Sequence, residues 1–347
     1  DLKMSILLEE SEQPLKHARR ARGLYCCHSI HLFPLLIISS LTYVECYSKI
    51  SNNPGYISNL INIPPLPSEH ALYGRSIPVC YTNSPHVLSE WLGDNLSLKG
   101  SIVGFDLESV PNVPWLKTLF DGPATVQLAT VDAALVLHLV DNNGIPSDAS
   151  APILKEFLAD KSFVKVGIGI DQDMLELYRL WGCSFDVHNR FDIGGIGSMD
   201  VRTTLSLKSL TKAVAKVELQ KTRKLAMSNW SKVPLQIPQI AYAARDAWAS
   251  AAILDQLAEK DPSKFSSEAL IELLLTDELS MKELDTRAKG RKLAKTKLQE
   301  ILGKGPSKVS RQNLSEDQRI EVLSMEKALR DLAPPPLYRI DLGSLGF

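Results

Sequence analysis

The chain has 347 residues, 39 lysines and arginines against 40 aspartates and glutamates, a formal net charge of −1, and 44% hydrophobic and 23% charged residues. That length allows roughly two domains, and the balance excludes collagen-like, wholly disordered and multi-spanning membrane classes. Near neutrality leaves nucleic-acid binding open, because a basic face can sit inside a balanced sum. Cys26, Cys27, Cys46, Cys80 and Cys183 show no paired-ligand spacing. This argues against a disulfide framework or a zinc site and makes a reducing, intracellular compartment the default, with nucleus or an organelle left open.

Lys16, Arg19, Arg20 and Arg22 precede an apolar run over residues 30–38. Basic-then-apolar order is that of a targeting segment, and the run is too short to span a bilayer. Pro54, Pro64, Pro65, Pro67, Pro78 and Pro85 then break helix and strand alike, so residues 1–84 read as an extension and proline-rich linker, mostly disordered. Ser84-Pro85 is an N-cap followed by proline at the first helical position, with Leu88, Trp91 and Leu92 at helical spacing. Residues 101–110 read as a strand on Ile102, Val103 and Phe105, and 125–130 with 134–140 as an antiparallel pair. A helix over 152–158, a strand over 163–168, a helix over 174–180, a short strand near Phe191 and a helix over 206–217 follow. A long helix over 238–257 closes the unit. Three strands in a meander, then alternating helix and strand, predict an α/β mixed sheet flanked by helices over residues 85–262. Residues 263–347 read as a helical, basic C-terminal appendage. One helix is expected over 266–303, carrying Arg287, Lys289, Arg291, Lys292, Lys295 and Lys297, and a second over 315–332. Such an appendage extends nucleic-acid contact or binds a partner.

Acids interrupt the apolar pattern in three places. Asp106 and Glu108 are two apart on a strand, hence on one face, where they repel each other unless solvated or bridged by a divalent cation. Asp171 and Asp173 follow Gly167 and Gly169 at a strand-to-helix junction, where an N-cap and a charge at the positive helix end are also served. Tyr242 and Asp246 are four apart on one face of an alanine-rich helix.

In that order, Phe105-Asp106-Leu107-Glu108, Gly167-x-Gly169-x-x-x-Asp173 and Tyr242-x-x-x-Asp246 resemble the DEDD superfamily of 3′–5′ exonucleases. The likeness is to the Werner-syndrome-type exonuclease domain, supported by Ser228-Asn229-Trp230-Ser231-Lys232-x-Pro234-Leu235, and covers residues 85–260. The resemblance implies an RNase H-like mixed sheet, in agreement with the pattern read from the residues. Tyr242, preceded by Ala241, indicates the tyrosine subclass. The residues alone leave both Asp171 and Asp173 open as the third carboxylate; the family's spacing favours Asp173 and leaves Asp171 as helix cap.

Hard oxygen donors select two divalent cations, Mg²⁺ or Mn²⁺, in a two-metal phosphodiester hydrolysis. By the resemblance, Asp106 bridges both ions, Glu108 and Asp246 complete the nucleophile-side metal, Asp173 holds the second ion, and Tyr242 orients the attacking water. The implied partner is a single-stranded or frayed 3′ end of nucleic acid, DNA favoured, with no membrane and no nucleotide cofactor. No G-x-x-x-x-G-K-[ST] phosphate loop occurs, so no helicase partner domain is expected in this chain. Lys208, Lys212 and Lys216 recur every four residues and predict a basic helical stripe along a phosphate backbone, among Arg202, Lys221, Arg223, Lys224 and Lys232. An RNase D-like RNA-trimming enzyme and a non-catalytic nucleic-acid-binding module are the alternatives.

Overall fold

The computed structural model describes residues 58–63, 76–96, 100–113, 120–197, 205–220, 222–303, 313–334 and 338–347. The basic and apolar segments before residue 58, with Arg202 and Lys221, lie outside the described residues. Strands β1 (Ser58–Ile63), β2 (Ile77–Thr82), β3 (Ile102–Val110), β4 (Gly122–Ala129), β5 (Ala134–His138), β6 (Val164–Gly167) and β7 (Arg190–Asp192) form one sheet in the order β1-β2-β5-β4-β3-β6-β7. The β3-β4-β5 meander is antiparallel as expected, and β6 and β7 continue parallel to β3.

On one face lie α1 (Pro85–Asn95), α2 (Ala151–Ala159) and α3 (Ile170–Leu180), which bury Leu88, Trp91, Leu154, Met174 and Leu177 with Val103, Phe105 and Leu107 of β3. On the other lie the short α4 (Leu207–Leu210) and α5 (Arg223–Ala226) and the long α6 (Ile237–Lys260), with Ala243, Ala244, Ala247 and Ala251 among its buried residues. A sheet covered on both faces has near-continuous apolar strands, and all five residues of β5 are buried.

Two strands arise inside the stretch read as linker. β1 pairs antiparallel with β2, and β2 pairs parallel with β5 from Val79 onward. Pro78 precedes that register, so its missing N–H costs no bond to β5. Pro85 sits in the first turn of α1, where Ser84 is the N-cap.

The C-terminal region also departs from one continuous helix. It divides into α7 (Pro262–Phe265), α8 (Ser267–Asp277) and α9 (Met281–Leu302), because Ser266 and Ser280 each cap a new start. Phe265 and Leu270 enter one core, and Met281 and Leu284 the other, so these helices complete the α/β unit's packing. Helix α10 (Glu316–Asp331) closes a small cluster of Leu302, Leu314 and Val322.

Candidate active site

The two acids of β3 face α6, since Val103, Phe105 and Leu107 alternate into the opposite core. Their approach is set by Gly104: a Cβ there would lie 1.9 Å from the Ala247 carbonyl oxygen. Glycine therefore lets the helix backbone rest on the strand, and Asp246, the residue before Ala247, is brought to the acid pair. Asp106, Glu108 and Asp246 each offer a carboxylate oxygen within 4.8 Å of the others, with Asp246 only 4% exposed. Like charges this close in a partly dry setting repel strongly.

Asp173 stands in the first turn of α3, which starts on Gly169 at φ +70°, a left-handed turn that suits glycine. Its carboxyl is held well above the usual range by burial, then by the charges of Asp106, Glu176 and Asp192. It lies outside the close triangle but feels Asp106 as its strongest electrostatic neighbour. Asp171 does something else. Gly169 is the N-cap of α3, so Asp171 is not the cap expected; its Oδ1 accepts from Arg190 Nε at 2.8 Å.

Tyr242 is 9% exposed, with its phenol pushed above its ordinary value by burial and by Asp246, Glu108 and Asp106. Its ring packs 6.2 Å, centre to centre, from that of Trp230.

Comparison with known proteins gives this geometry a family. The sequence model of the 3′–5′ exonuclease family matches residues 95–260. Residues 95–260 form a DEDD-type 3′–5′ exonuclease domain. A 3′–5′ exonuclease of Arabidopsis thaliana is 36% identical over 156 residues, 43% of this chain and 50% of the relative. The mouse bifunctional 3′–5′ exonuclease/ATP-dependent helicase WRN is 30% identical over 171 residues, 48% of this chain and 12% of that protein. The chain thus spans half or less of the length of these two relatives. The solved structure of Escherichia coli RNase D aligns with a TM-score of 0.44 and 18% identity, covering 72% of this chain and 60% of that one.

DEDD exonucleases use divalent metal ions, and the exonuclease domain's donors fit: the triangle is all carboxylate, the hard-oxygen set such cations prefer. Around it the domain builds a buttress that the sequence did not reveal. His138 Nε2–H donates to the Trp230 carbonyl at 2.8 Å, which leaves Nδ1 to accept from the Tyr81 hydroxyl at 2.8 Å. The Tyr81 oxygen accepts from the Leu235 N–H at 3.0 Å. Burial lowers His138 to about 4 and raises Tyr81 to about 12, so both stay neutral near pH 7. Gln239 Nε2 donates to Ser228 Oγ at 2.9 Å and to the Asn229 carbonyl at 3.1 Å. The Ser228–Leu235 motif thereby fixes the start of α6 and supplies Trp230 as a wall for Tyr242.

Asp192, also missed, ends β7 with Oδ2 accepting from Gly169 N–H at 3.0 Å and Oδ1 from Gly194 N–H at 2.8 Å. Its only sequence signal was an acid closing a very short strand.

The expected basic stripe is interrupted. After α4 the backbone widens into a π-turn over Thr211–Ala215, and Lys216 adopts φ 55°. A four-residue spacing holds one face only at α-helical pitch, so Lys216 leaves the row, while Lys212 pairs with Glu218 at 3.5 Å.

Proposed function

We propose that the chain is a hydrolase that removes nucleotides from the 3′ end of a nucleic-acid strand, DNA favoured, releasing nucleoside 5′-monophosphates. The observation that carries this reading is the Asp106, Glu108 and Asp246 triangle, with oxygens within 4.8 Å of one another inside a domain of the exonuclease family. Asp106, Glu108, Asp246 and Asp173 would hold two divalent cations, Mg²⁺ or Mn²⁺. Bound there, such ions supply charge stabilisation for the attacking and leaving oxygens of an in-line displacement.

The protein's own groups divide the remaining work. Asp106, on the face between α6 and the first turn of α3, is the carboxylate that both halves of the site share. Tyr242 remains protonated at neutral pH, because its burial among carboxylates disfavours phenolate. Its hydroxyl proton goes to Asp246, so its oxygen would accept a hydrogen bond from the incoming water and orient it, and it is not the base. Trp230 and the Ser228–Leu235 segment hold the phenol's ring in place.

The test uses single strands of DNA and RNA carrying the label at either end, incubated with the purified chain and Mg²⁺, Mn²⁺ or EDTA. A 5′-labelled strand should shorten in single-nucleotide steps, a 3′ label should leave at once as a mononucleotide, and EDTA should stop both. Degradation from the 5′ end, or digestion undiminished in EDTA, would overturn the proposal. Faster shortening of RNA than DNA would overturn the substrate preference alone.

A further inference from the structure

Both ends of α3, the helix that carries Asp173, are tied to the C-terminal helices through ion pairs, but the two ties differ in setting. At the far end Arg179 Nε donates to Asp285 Oδ1 at 2.8 Å, and Lys289 Nζ meets Asp285 Oδ2 at 2.6 Å; Arg179 and Lys289 are 39% and 68% exposed. At the near end Asp171 meets Arg190, whose side chain is 2% exposed. Arg190 Nη1 also reaches Glu278 Oε1 at 3.2 Å and donates to the Val187 carbonyl, while Nη2 donates to the Leu279 carbonyl at 2.7 Å. Glu278, in the turn between α8 and α9, accepts besides from the backbone N–H groups of Asn189 and Arg190, both at 2.8 Å. A line of charge thus runs from that turn, through β7, to the first turn of α3.

The first turn of α3 is anchored by buried Ile170 and by Asp192 on the Gly169 N–H, but its N-cap is a left-handed glycine with no side-chain cap, so the acidic side of the turn is held by Arg190 on Asp171. We propose that Arg190, braced by Glu278, is a positioning residue that sets Asp173 by holding Asp171, its neighbour in the same turn. The inference rests on the reading of Asp173 as a metal-holding acid given above. It makes the turn after α8, outside the family match over 95–260, part of the site's support. A buried guanidinium keeps its partners because an unpaired one is costly. Groups that orient a metal-holding side chain typically change metal affinity by about 10–100-fold when replaced.

The experiment is calorimetric titration of Mn²⁺ into the full chain stripped with EDTA, alongside thermal melting without metal. Asp171→Asn should weaken uptake of the ion assigned to Asp173 by about tenfold, the low end of the range for such partners. Arg179→Gln breaks the tie at the other end of the same helix and should leave that uptake unchanged while still lowering the melting temperature. Unchanged uptake in Asp171→Asn, or equal weakening in Arg179→Gln, overturns the proposal. Should Asp171→Asn melt too low to titrate, Glu278→Gln keeps the Arg190–Asp171 pair, removes its brace, and should weaken the same step. Asp173→Asn separates the two readings: if it retains that step, the assignment of Asp173 to metal is wrong, whatever Asp171 does.

Discussion

Acid groups gathered at one spot work against the fold that gathers them, and Asp173 shows the sign most clearly. Its folded-state pKa is raised by burial and by Asp106, Glu176 and Asp192, whereas in the unfolded chain it ionises at about 3.9. The folded chain therefore holds its proton more tightly, so stability from this group is present below the unfolded value and lost as pH rises through the folded one. At neutral pH without metal the charge is a liability. Asp173→Asn should accordingly raise the metal-free melting temperature, by about 2–4 °C for each kcal/mol relieved, while activity is lost. Scanning fluorimetry in EDTA reads this directly, and a lowered melting temperature would count against the electrostatic account. Asp171 provides the contrast within one turn of helix. Asp171 is paired with Arg190 at 2.8 Å, whereas Asp173, two residues on, is buried among like charges.

At the scale of elements, the site depends on α6 lying directly on β3. Gly104→Ala would set a methyl group against the Ala247 carbonyl, a backbone atom that cannot rotate away. Overpacking of this kind costs about 1–3 kcal/mol, and here it would also lift Asp246 from Asp106 and Glu108. Urea unfolding midpoints and exonuclease rates should therefore fall together, and a variant that is destabilised but fully active would contradict this placement. The second element-scale expectation concerns His138, which joins β5 to the loop before α6. Its folded pKa of about 4 lies below the unfolded value of about 6.5. Its contribution is thus present above pH 6.5 and drains away as pH falls toward 4, with a ceiling of about 3 kcal/mol. An NMR titration that finds the imidazole neutral down to pH 5 supports the wiring described, and a midpoint above 6 would contradict it.

Much of this was legible because it is local. Apolar runs of strand-forming residues marked β3 to β6, and the i,i+2 and i,i+4 spacings placed Asp106 with Glu108 and Tyr242 with Asp246. Strand β2 was hidden by proline density, although Pro78 precedes its register with β5. Contacts such as Glu278 to Asn189, Asp192 to Gly169, and Tyr81 to His138 join residues far apart in the chain, and no local pattern announces them.

For the molecule as a whole, the sheet joins segments on both sides of the residues that match the family. β1 and β2 extend it at one edge, and Phe265, Leu270, Met281 and Leu284 fill its two cores from the C-terminal side. The exonuclease domain is thereby packed from both flanks, and the carboxylates it brings together are those proposed above to hold the metal. The rate of nucleotide release by the full chain and by Asp106→Asn, each with saturating Mn²⁺, tests that proposal most directly. Asp106→Asn keeps the side chain's shape and removes its charge, so the rate should fall by roughly three orders of magnitude or more, about 4 kcal/mol in the barrier. A variant that still releases mononucleotides at a rate near that of the unaltered chain would show that Asp106 holds no essential metal.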